Sequence, residues 1–315
     1  MYGNSLHTCN TNSRKNLCAF VSPSPETDEQ NPMLTKPERD MLFRHAYIPE
    51  QLPDYVEAVS LAEPHIHEGY VCFSRGPVLI FIGYPLQAAP SERMDGDLHM
   101  TLESACERFQ PTTISVIAPG IRPDGDATAQ DCDQYFRVDL PLTATGSDEA
   151  YMVRRARREL SVGEAAFGQE HEALIEDFIT ERDLSAAHQE IFRSIAGYLD
   201  CSHTARLLEA RRGDDLVAFT IVDLGSADYG FYLFNFRSRS IPVPGASDLL
   251  LWEMARLAGD EGKRYLNLGL GVNSGIRRFK EKWGAIPFLP YSWATIQRKR
   301  RGLLAIIRGM LRNGT

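Results

Sequence analysis

Three runs rich in apolar residues follow one another in the second half of the chain. They cover residues 204–211, 216–224 and 229–237, and the turn-rich sequences RGDD and GSAD separate them. Apolar runs of this length between turn residues are typical of β-strands, and connections this short join antiparallel neighbours. The pattern therefore predicts an antiparallel three-stranded meander.

A helical period follows the meander. Apolar residues recur at helical spacing across residues 249–262, which predicts a helix. An alternating strand at 264–270 and a helix at 274–284 come next. Because a helix connects the meander to strand 264–270, we expect this strand to pair in parallel with a neighbour.

The first half repeats this order in a weaker form. Its pattern predicts a helix, two strands, a second helix and two further strands at residues 49–63, 69–75, 78–86, 97–109, 112–119 and 134–140. Residues 141–150 are polar and contain Pro and Gly, as linkers do. We therefore predict an α+β fold with two domains, 39–145 and 146–296, each with a mostly antiparallel, mixed sheet flanked by helices.

The composition agrees with two domains and restricts the functional classes. A chain of 315 residues with 43% hydrophobic residues can bury two cores. Residues 1–150 carry 10 Lys and Arg against 22 Asp and Glu, whereas residues 151–315 carry 24 against 20, so only the second half favours an anionic ligand. The six cysteines form no Cys-x-x-Cys pair, and no run is apolar enough to span a bilayer. We therefore expect a reduced cytoplasmic protein.

Three segments have a composition that sets them apart. Residues 1–38 contain few large apolar residues, which predicts a disordered tail. Residues 297–312 are basic around an apolar centre, so segment 297–315 is predicted to be an amphipathic helix. This helix either lies on an anionic membrane surface, which would make the protein peripheral on the inner membrane face, or covers its own domain. The arginines of residues 153–158 either contact RNA or form a solvated face.

Metal-dependent and covalent chemistry find little support in the sequence. His65 and His67 alternate as two ligands on one strand face would, but no third ligand occurs at a diagnostic spacing. No nucleophile elbow with a Ser-His-Asp or Cys-His order is present either. We therefore assign no metal site and no covalent nucleophile.

Three motifs in the second half carry a resemblance to a known family. They are GASDLLLWEM at 245–254, EGKRYLNLGL at 261–270 and FKEKW at 279–283, which Gly284 follows. In this order and spacing, region 147–296 resembles the GNAT-fold acyltransferases, and among them the FemAB-like and phosphatidylglycerol lysyltransferase C-terminal group, which take amino acids from aminoacyl-tRNA. The resemblance implies two tandem GNAT-like domains, of which the first is degenerate.

The resemblance assigns chemistry to strand 264–270 and the helix after it. In GNAT folds this strand splays from its neighbour and opens a cleft, and the alternation would place Asn267 on the cleft side for hydrogen bonding. A helical wheel makes Lys280 the basic residue that leans inward, where it would neutralise a phosphate or a developing oxyanion. The alternative for Lys280 is a lysine at the edge of the core with its ammonium in water. Tyr291, in the last strand, is a candidate acid or base.

The residues predicted to bind the donor lie mainly in loops and at helix starts. The candidate donor-binding residues are Arg237, Arg239, Gly245, Ser247, Asp248, Gly269, Gly271, Asn273 and Ser274. We expect Asp248 to cap the helix that follows, where its carboxylate would compete with the pyrophosphate of coenzyme A. A plain helix cap is the alternative role for Asp248, and a surface position is the alternative for the two arginines.

These features predict an acyltransferase or aminoacyltransferase (EC 2.3). It would move an acyl or aminoacyl group from acyl-CoA or aminoacyl-tRNA to an amine or hydroxyl by direct attack, with no permanently bound cofactor. The resemblance adds tRNA as a partner through residues 153–158, and a small molecule, peptide or lipid as the acceptor. The alternative is a catalytically inactive two-lobed protein that serves as a platform for a peptide or lipid.

Overall fold

The structure, a computed structural model, describes residues 34–86, 97–121, 127–143 and 146–297. Most of the predicted tail 1–38 and of the predicted helix 297–315 therefore lies outside the described residues. The first helix begins at Lys36, before the predicted end of the tail, and Thr35 caps it in a reciprocal capping box with Glu38. The spacing of these two residues is a helix-start signal that the sequence already contains.

The first run of elements begins with helices and ends at the centre of the sheet. In chain order it contains α1 (Lys36–His45), a 3-10 helix (Pro49–Gln51), α2 (Pro53–Ser60), β1 (Glu63–His67), β2 (Tyr70–Arg75), β3 (Val78–Ile82), α3 (Asp97–Phe109), β4 (Thr113–Ile117) and β5 (Ala127–Asp139). The single helix predicted at 49–63 is divided before Pro53, because proline has no N–H to continue a helix but suits its first position.

The second run contains the elements around the candidate site. They are α4 (Ser147–Ala156), β6 (Ser161–Glu164), α5 (Gln169–Thr180), α6 (Ala186–Arg193), α7 (Ile195–Cys201), β7 (Ala205–Arg212), β8 (Asp215–Asp223), β9 (Tyr229–Arg237), α8 (Ala246–Asp260), β10 (Tyr265–Leu270), α9 (Ser274–Lys282) and β11 (Ile286–Gln297). α6 and α7 follow each other directly, since Ser194 is both the C-cap of α6 and the N-cap of α7.

All the described strands belong to one mixed sheet. Its order is β1-β2-β3-β4-β11-β5-β10-β9-β8-β7-β6. Within it, β3–β4 and β9–β10 are parallel, and the other neighbouring pairs are antiparallel. The predicted α+β class with a mostly antiparallel mixed sheet and flanking helices is therefore confirmed.

The two halves of the sheet follow the same plan. In each half an antiparallel meander leads through a crossover helix, α3 or α8, to a strand parallel to the last one of the meander. The parallel pairing that we expected for strand 264–270 is thus present between β10 and β9. The internal repeat that the sequence indicated only weakly is clear in the topology.

Two strands cross between the halves at the centre of the sheet. β5, from the first half, pairs with β10 of the second, whereas β11, at the end of the second half, lies between β4 and β5. Each half thus completes the sheet of the other. The division near residue 146 separates two runs along the chain and stays a prediction as a domain boundary.

Helices cover the second half of the sheet on both faces. On one face, α4 and α8 pack over a core that includes Leu250, Met254 and Trp283. On the other, α5, α6 and α7 cover a core rich in aromatic residues, including Phe219 and Phe236. None of the helices described is both long and apolar enough to cross a bilayer. The described residues also contain no group of three metal-binding side chains.

Candidate active site

A split in the sheet lies between the parallel strands β9 and β10. They pair only where Tyr265–Asn267 lie beside Tyr229–Phe231. Further along, β9 stays with β8 and β10 stays with β5, so the two strands part. Gly269 lies at the bulge of β10 with a φ of +72°, a backbone conformation that favours glycine. The split opens into a cleft of about 650 Å³, a volume typical of small-molecule sites.

The cleft has apolar walls and charged edges. It is lined by α5, β9, the first turn of α8, β10 and α9, and its apolar residues include Leu174, Phe178, Leu233, Leu268, Ile276 and Phe279. Its charged residues are Asp177, Glu181, Arg182, Arg237, Arg239, Asp248 and Lys280. Such a mixture suits a ligand with an apolar part and an anionic part.

Lys280 lies in the wall of this cleft. Its side chain is almost completely buried, at 3% exposure, and its Nζ donates a hydrogen bond of 2.6 Å to the backbone oxygen of Leu270. Burial lowers the pKa of Lys280 to about 7, although the nearby carboxylate of Asp133 favours the charged form. The charged and neutral forms are therefore both populated near neutral pH. The structure places Lys280 where the helical wheel predicts, and its chemical role stays a prediction.

Contacts at both ends of α9 fix the direction of Lys280. At the start, Asn273 Oδ1 accepts hydrogen bonds from two amides of the first turn. At the end, the fully buried indole of Trp283 donates to Asp248 Oδ1 at 2.9 Å. Asn273 is thus a helix cap and does not line the cleft, contrary to its assignment to donor binding.

The predicted capping role of Asp248 is wrong. Gly245 is the N-cap of α8, no side chain caps this helix, and Asp248 is the third residue inside it. The Asp248 carboxylate instead accepts from Trp283 and from Lys282 Nζ, the latter at 2.7 Å, while still lining the cleft. The part of the objection to coenzyme A that depended on this cap is therefore lost, whereas the carboxylate still lies in the first turn of α8 and lines the cleft.

Gly245 and Ser247 do line the cleft, as predicted. A Cβ at Gly245 would lie 2.6 Å from the backbone oxygen of Met152, so glycine here lets α4 approach the start of α8. Ser247 Oγ donates to Asn235 Oδ1 at 3.0 Å, which links α8 to β9.

Two of the three proposed catalytic residues lie elsewhere. Asn267 is fully buried on the side of β10 that faces away from the cleft. Its Nδ2 donates to the backbone oxygen of Tyr47 at 2.8 Å, and its Oδ1 accepts from the Gly269 amide at 2.7 Å. Tyr291 is buried in the core between β11 and the first helices, where burial raises its pKa well above the usual value. Neither residue is among those that line the cleft, so this placement does not support the roles predicted for them. For Asn267 the reason is that the sequence indicates alternation but not which face of the sheet opens.

Of the other glycine and serine residues predicted to bind the donor, one lines the cleft and two do not. Gly269 lines it, and a Cβ there would meet the Lys280 Nζ at 3.9 Å. Gly271 lies instead against Asp133 and the Arg277 side chain, where a Cβ would come within 2.8 Å of Asp133 Oδ1. Gly271 and the exposed Ser274 do not line the cleft, so their assignment to donor binding is not supported.

Three arginines meet at the mouth of the cleft. Arg237 and Arg239 line it as predicted, and Arg239 forms an ion pair of 2.8 Å with Glu181. Arg182 stacks over the ring of Phe178 at 4.0 Å. Burial, together with the charges of Arg239 and Arg237, lowers the pKa of Arg182. The mutual proximity of the arginines makes the mouth favourable for an anion.

Sequence reasoning missed Arg182, Tyr232 and Asn235 among the cleft residues. Tyr232 lies near the point where the strands part, and burial raises its pKa. Asn235 and Arg237 are two positions apart on β9, so the prediction for Arg237 already contained the signal for Asn235. Arg182 follows α5, which is distant from β9 along the chain, and has no comparable signal.

Several solved structures are similar to this chain. FemX has a TM-score of 0.53 and 11% identity over 82% of this chain and 96% of its own. A conserved protein of unknown function from Bacteroides thetaiotaomicron has a TM-score of 0.54 and 11% identity, covering 82% of this chain and 91% of that one. L-PGS from Bacillus licheniformis has a TM-score of 0.48 and 15% identity, covering 86% of this chain and 98% of that one. No family model and no curated protein matches the sequence.

The likeness to FemX confirms the fold that the three sequence motifs predict. It extends over both halves of the chain and not only over the region that carries the motifs. At 11% identity it shows the fold alone, so the chemistry of the cleft has to be argued from its own residues.

Proposed function

We propose that this protein is a transferase that moves an acyl or aminoacyl group from a carrier to an amine or hydroxyl within the cleft between β9 and β10. One observation carries the proposal: the buried Nζ of Lys280 lies 2.6 Å from the Leu270 carbonyl oxygen, at the place where the sheet splits. A buried amine with a strongly lowered pKa inside a cleft is typical of a functional site.

The reaction we propose is a direct displacement at the carbonyl carbon of the donor. The acceptor nitrogen or oxygen forms a bond to this carbon, and the carbonyl oxygen becomes an oxyanion. When the intermediate collapses, the bond from carbon to the sulfur or oxygen of the carrier breaks. The proton lost by the acceptor passes through solvent to the leaving thiolate or alkoxide. The Lys280 ammonium stabilises the oxyanion, which a buried charge does more strongly than one in water.

The arginines at the mouth support a carrier that bears phosphate. Arg182, just after α5, and Arg237, on β9, both line the cleft, and planar guanidinium groups bind phosphate well. Coenzyme A and tRNA share this chemistry. Because both carriers bear phosphate, acyl-CoA and aminoacyl-tRNA are both candidates, in each case as a co-substrate.

Exposed arginines lie on a helix beside the cleft. α4 packs against α8 beside the cleft, and Arg154, Arg155 and Arg158 on or just after α4 are exposed. Arg157 differs, since it pairs with Glu253. We propose that α4 is the contact for tRNA. We also propose that the protein is cytoplasmic and that its acceptor is a small molecule, a peptide or a lipid. The membrane contact proposed for residues 297–312 falls outside the described residues.

A transfer assay with matched variants tests the proposal. Purified protein is mixed with acetyl-CoA or with aminoacylated total tRNA and a panel of amines, and product is detected by mass spectrometry. We expect transfer from one carrier, a loss of at least a hundredfold in Lys280→Met, and wild-type rates in Arg278→Met, which removes an exposed charge from the same helix.

Two results would reject the proposal. Equal rates in Lys280→Met and the wild type would remove Lys280 from the chemistry. Binding of a peptide or lipid in the cleft without transfer from either carrier would favour an inactive two-lobed platform.

A further inference from the structure

Asn235 has a side-chain amide of which only one half is used. Ser247 Oγ donates to its Oδ1 at 3.0 Å. Its Nδ2 is shielded from solvent and has no hydrogen-bond partner among the described residues. A buried donor without an acceptor is unfavourable, and such groups are uncommon in folded proteins. The exception therefore calls for an explanation at this position.

The position of Asn235 supplies one. Asn235 and Ser247 both line the cleft. Because the serine hydroxyl bonds to Oδ1, the orientation of the amide is fixed, and its N–H group has no acceptor among the described residues. Arg237 lies two residues further along β9 and also lines the cleft, with no register shift between the two. Alternation along a strand places both side chains on the same face.

We propose that Asn235 binds the donor, with its Nδ2 donating a hydrogen bond to an oxygen of the phosphate-bearing carrier whose charge Arg237 binds. The inference rests on the transferase function proposed above and adds the ligand-binding role of one residue. Coenzyme A and tRNA both present phosphate oxygens, so the experiment includes a separate arm for each.

Stability separates this role from a structural one. In a structural role the Asn235 amide would stabilise the free protein, and its removal would lower the Tm. In the proposed role the free protein carries an unsatisfied donor, so Asn235→Leu keeps or raises the Tm while the ligand binds less well. The serine hydroxyl is partly exposed and can bond to water once its partner is gone.

The test measures binding and transfer in one set of variants. Isothermal titration with coenzyme A and with uncharged total tRNA gives affinities without turnover, and KM and kcat are measured with the carrier that supports transfer. For Asn235→Leu we expect about ten- to a hundredfold weaker binding and a raised KM, with kcat changed less. Asn235→Asp keeps the acceptor for Ser247 but turns the donor into a carboxylate, so binding should be weaker still. Thr180→Ala, an exposed change outside the cleft lining, serves as the control.

The outcomes separate this inference from the proposed function. Unchanged affinity of Asn235→Leu for both probes, including no binding by the wild type to either, overturns the inference. Binding by Asn235→Asp equal to that of the wild type also overturns it. If Lys280→Met abolishes transfer while Asn235→Leu retains the wild-type KM and affinities, only the inference fails. If the affinities respond to Asn235 but no carrier supports transfer, only the proposed function fails.

Discussion

Lys280 Nζ donates a hydrogen bond of 2.6 Å to the backbone oxygen of Leu270, next to the point where β9 leaves β10. The split deprives this end of β10 of a partner strand on one side, and the lysine side chain bonds to one of its carbonyl groups. An ammonium in this buried position is unfavourable, which accounts for the lowered pKa of Lys280. The fold thus retains a destabilising group in the wall of a cleft, as proteins do at functional sites.

Replacement of Lys280 by methionine should stabilise the protein. Methionine keeps the length and apolar stem of the side chain without its charge, and we expect a gain of about 1–4 kcal/mol near pH 6.5. In the native state the pKa of Lys280 is lowered to about 7 from the ordinary value of 10.5, so the unfolded chain binds more protons between these values. The gain should therefore shrink as the pH rises from 7 towards 10.5.

Urea unfolding at pH 6.5 and pH 10 measures this difference. Arg278→Met is the control, because its side chain on the same helix is exposed. A destabilised Lys280→Met at pH 6.5, or a gain that grows with pH, would contradict the burial of a charged lysine.

A buried carboxylic acid outside the cleft gives a second pH effect. Glu50 is 6% exposed, and Tyr135 donates to its Oε2 at 2.7 Å. Burial raises the pKa of Glu50 from 4.5 to about 7. Below pH 4.5 the Glu50 carboxyl is neutral in both the folded and the unfolded protein. As the pH rises through 7 the buried carboxyl must ionise, so the free energy of unfolding decreases.

Glu50→Gln should remove this loss, since glutamine remains neutral and can still accept from Tyr135. We expect the variant to be more stable than the wild type by about 1–3 kcal/mol at pH 8. The difference should be much smaller at pH 4.5. Thermal unfolding at the two pH values tests this, and a constant difference between them would show that Glu50 does not change its protonation in this range.

Gly245 and Gly262 offer a matched pair of alanine substitutions. Both have positive φ, +87° and +76°, so each alanine should cost about 1–2 kcal/mol through backbone strain alone. At Gly262 a Cβ meets nothing within 4 Å, whereas at Gly245 it would lie 2.6 Å from the Met152 oxygen.

Gly245→Ala should therefore cost about 1–3 kcal/mol more than Gly262→Ala, because α4 must move away from α8. Urea unfolding of the two variants provides the comparison. Equal losses would mean that the close approach of the two helices is not important for stability.

Local patterns predict the parts of the fold that depend on neighbouring residues. Apolar runs of strand length between turn sequences identify the meander β7–β9, and the crossover helix before β10 indicates its parallel pairing. Helical geometry alone also directs Lys280 inward, since its neighbours Phe279 and Trp283 on α9 or at its end define the apolar face. These features need no knowledge of distant contacts.

Contacts between distant residues could not be predicted. The exchange of β5 and β11 depends on pairings such as Trp293 with Ile117, for which the alternation of each strand carries no information. The bond from Trp283 to Asp248 likewise joins two helices, and it explains why an aspartate at a helix start is not a cap. The prediction that Asn267 faces the cleft fails for a similar reason, because a strand pattern does not indicate which face of the sheet is open.

The pH dependence of transfer tests the central claim, that the charged form of Lys280 acts in the cleft. The measurement is the ratio of kcat/KM for the wild type to that for Lys280→Arg from pH 5.5 to 9, since both enzymes share the ionisation of the acceptor. The pKa of Lys280 is lowered to about 7 in the free protein, whereas an arginine stays protonated throughout. We predict a constant ratio below pH 7 that falls about tenfold per pH unit above it. A ratio that rises through pH 7, or that does not change, would contradict the role of the Lys280 ammonium.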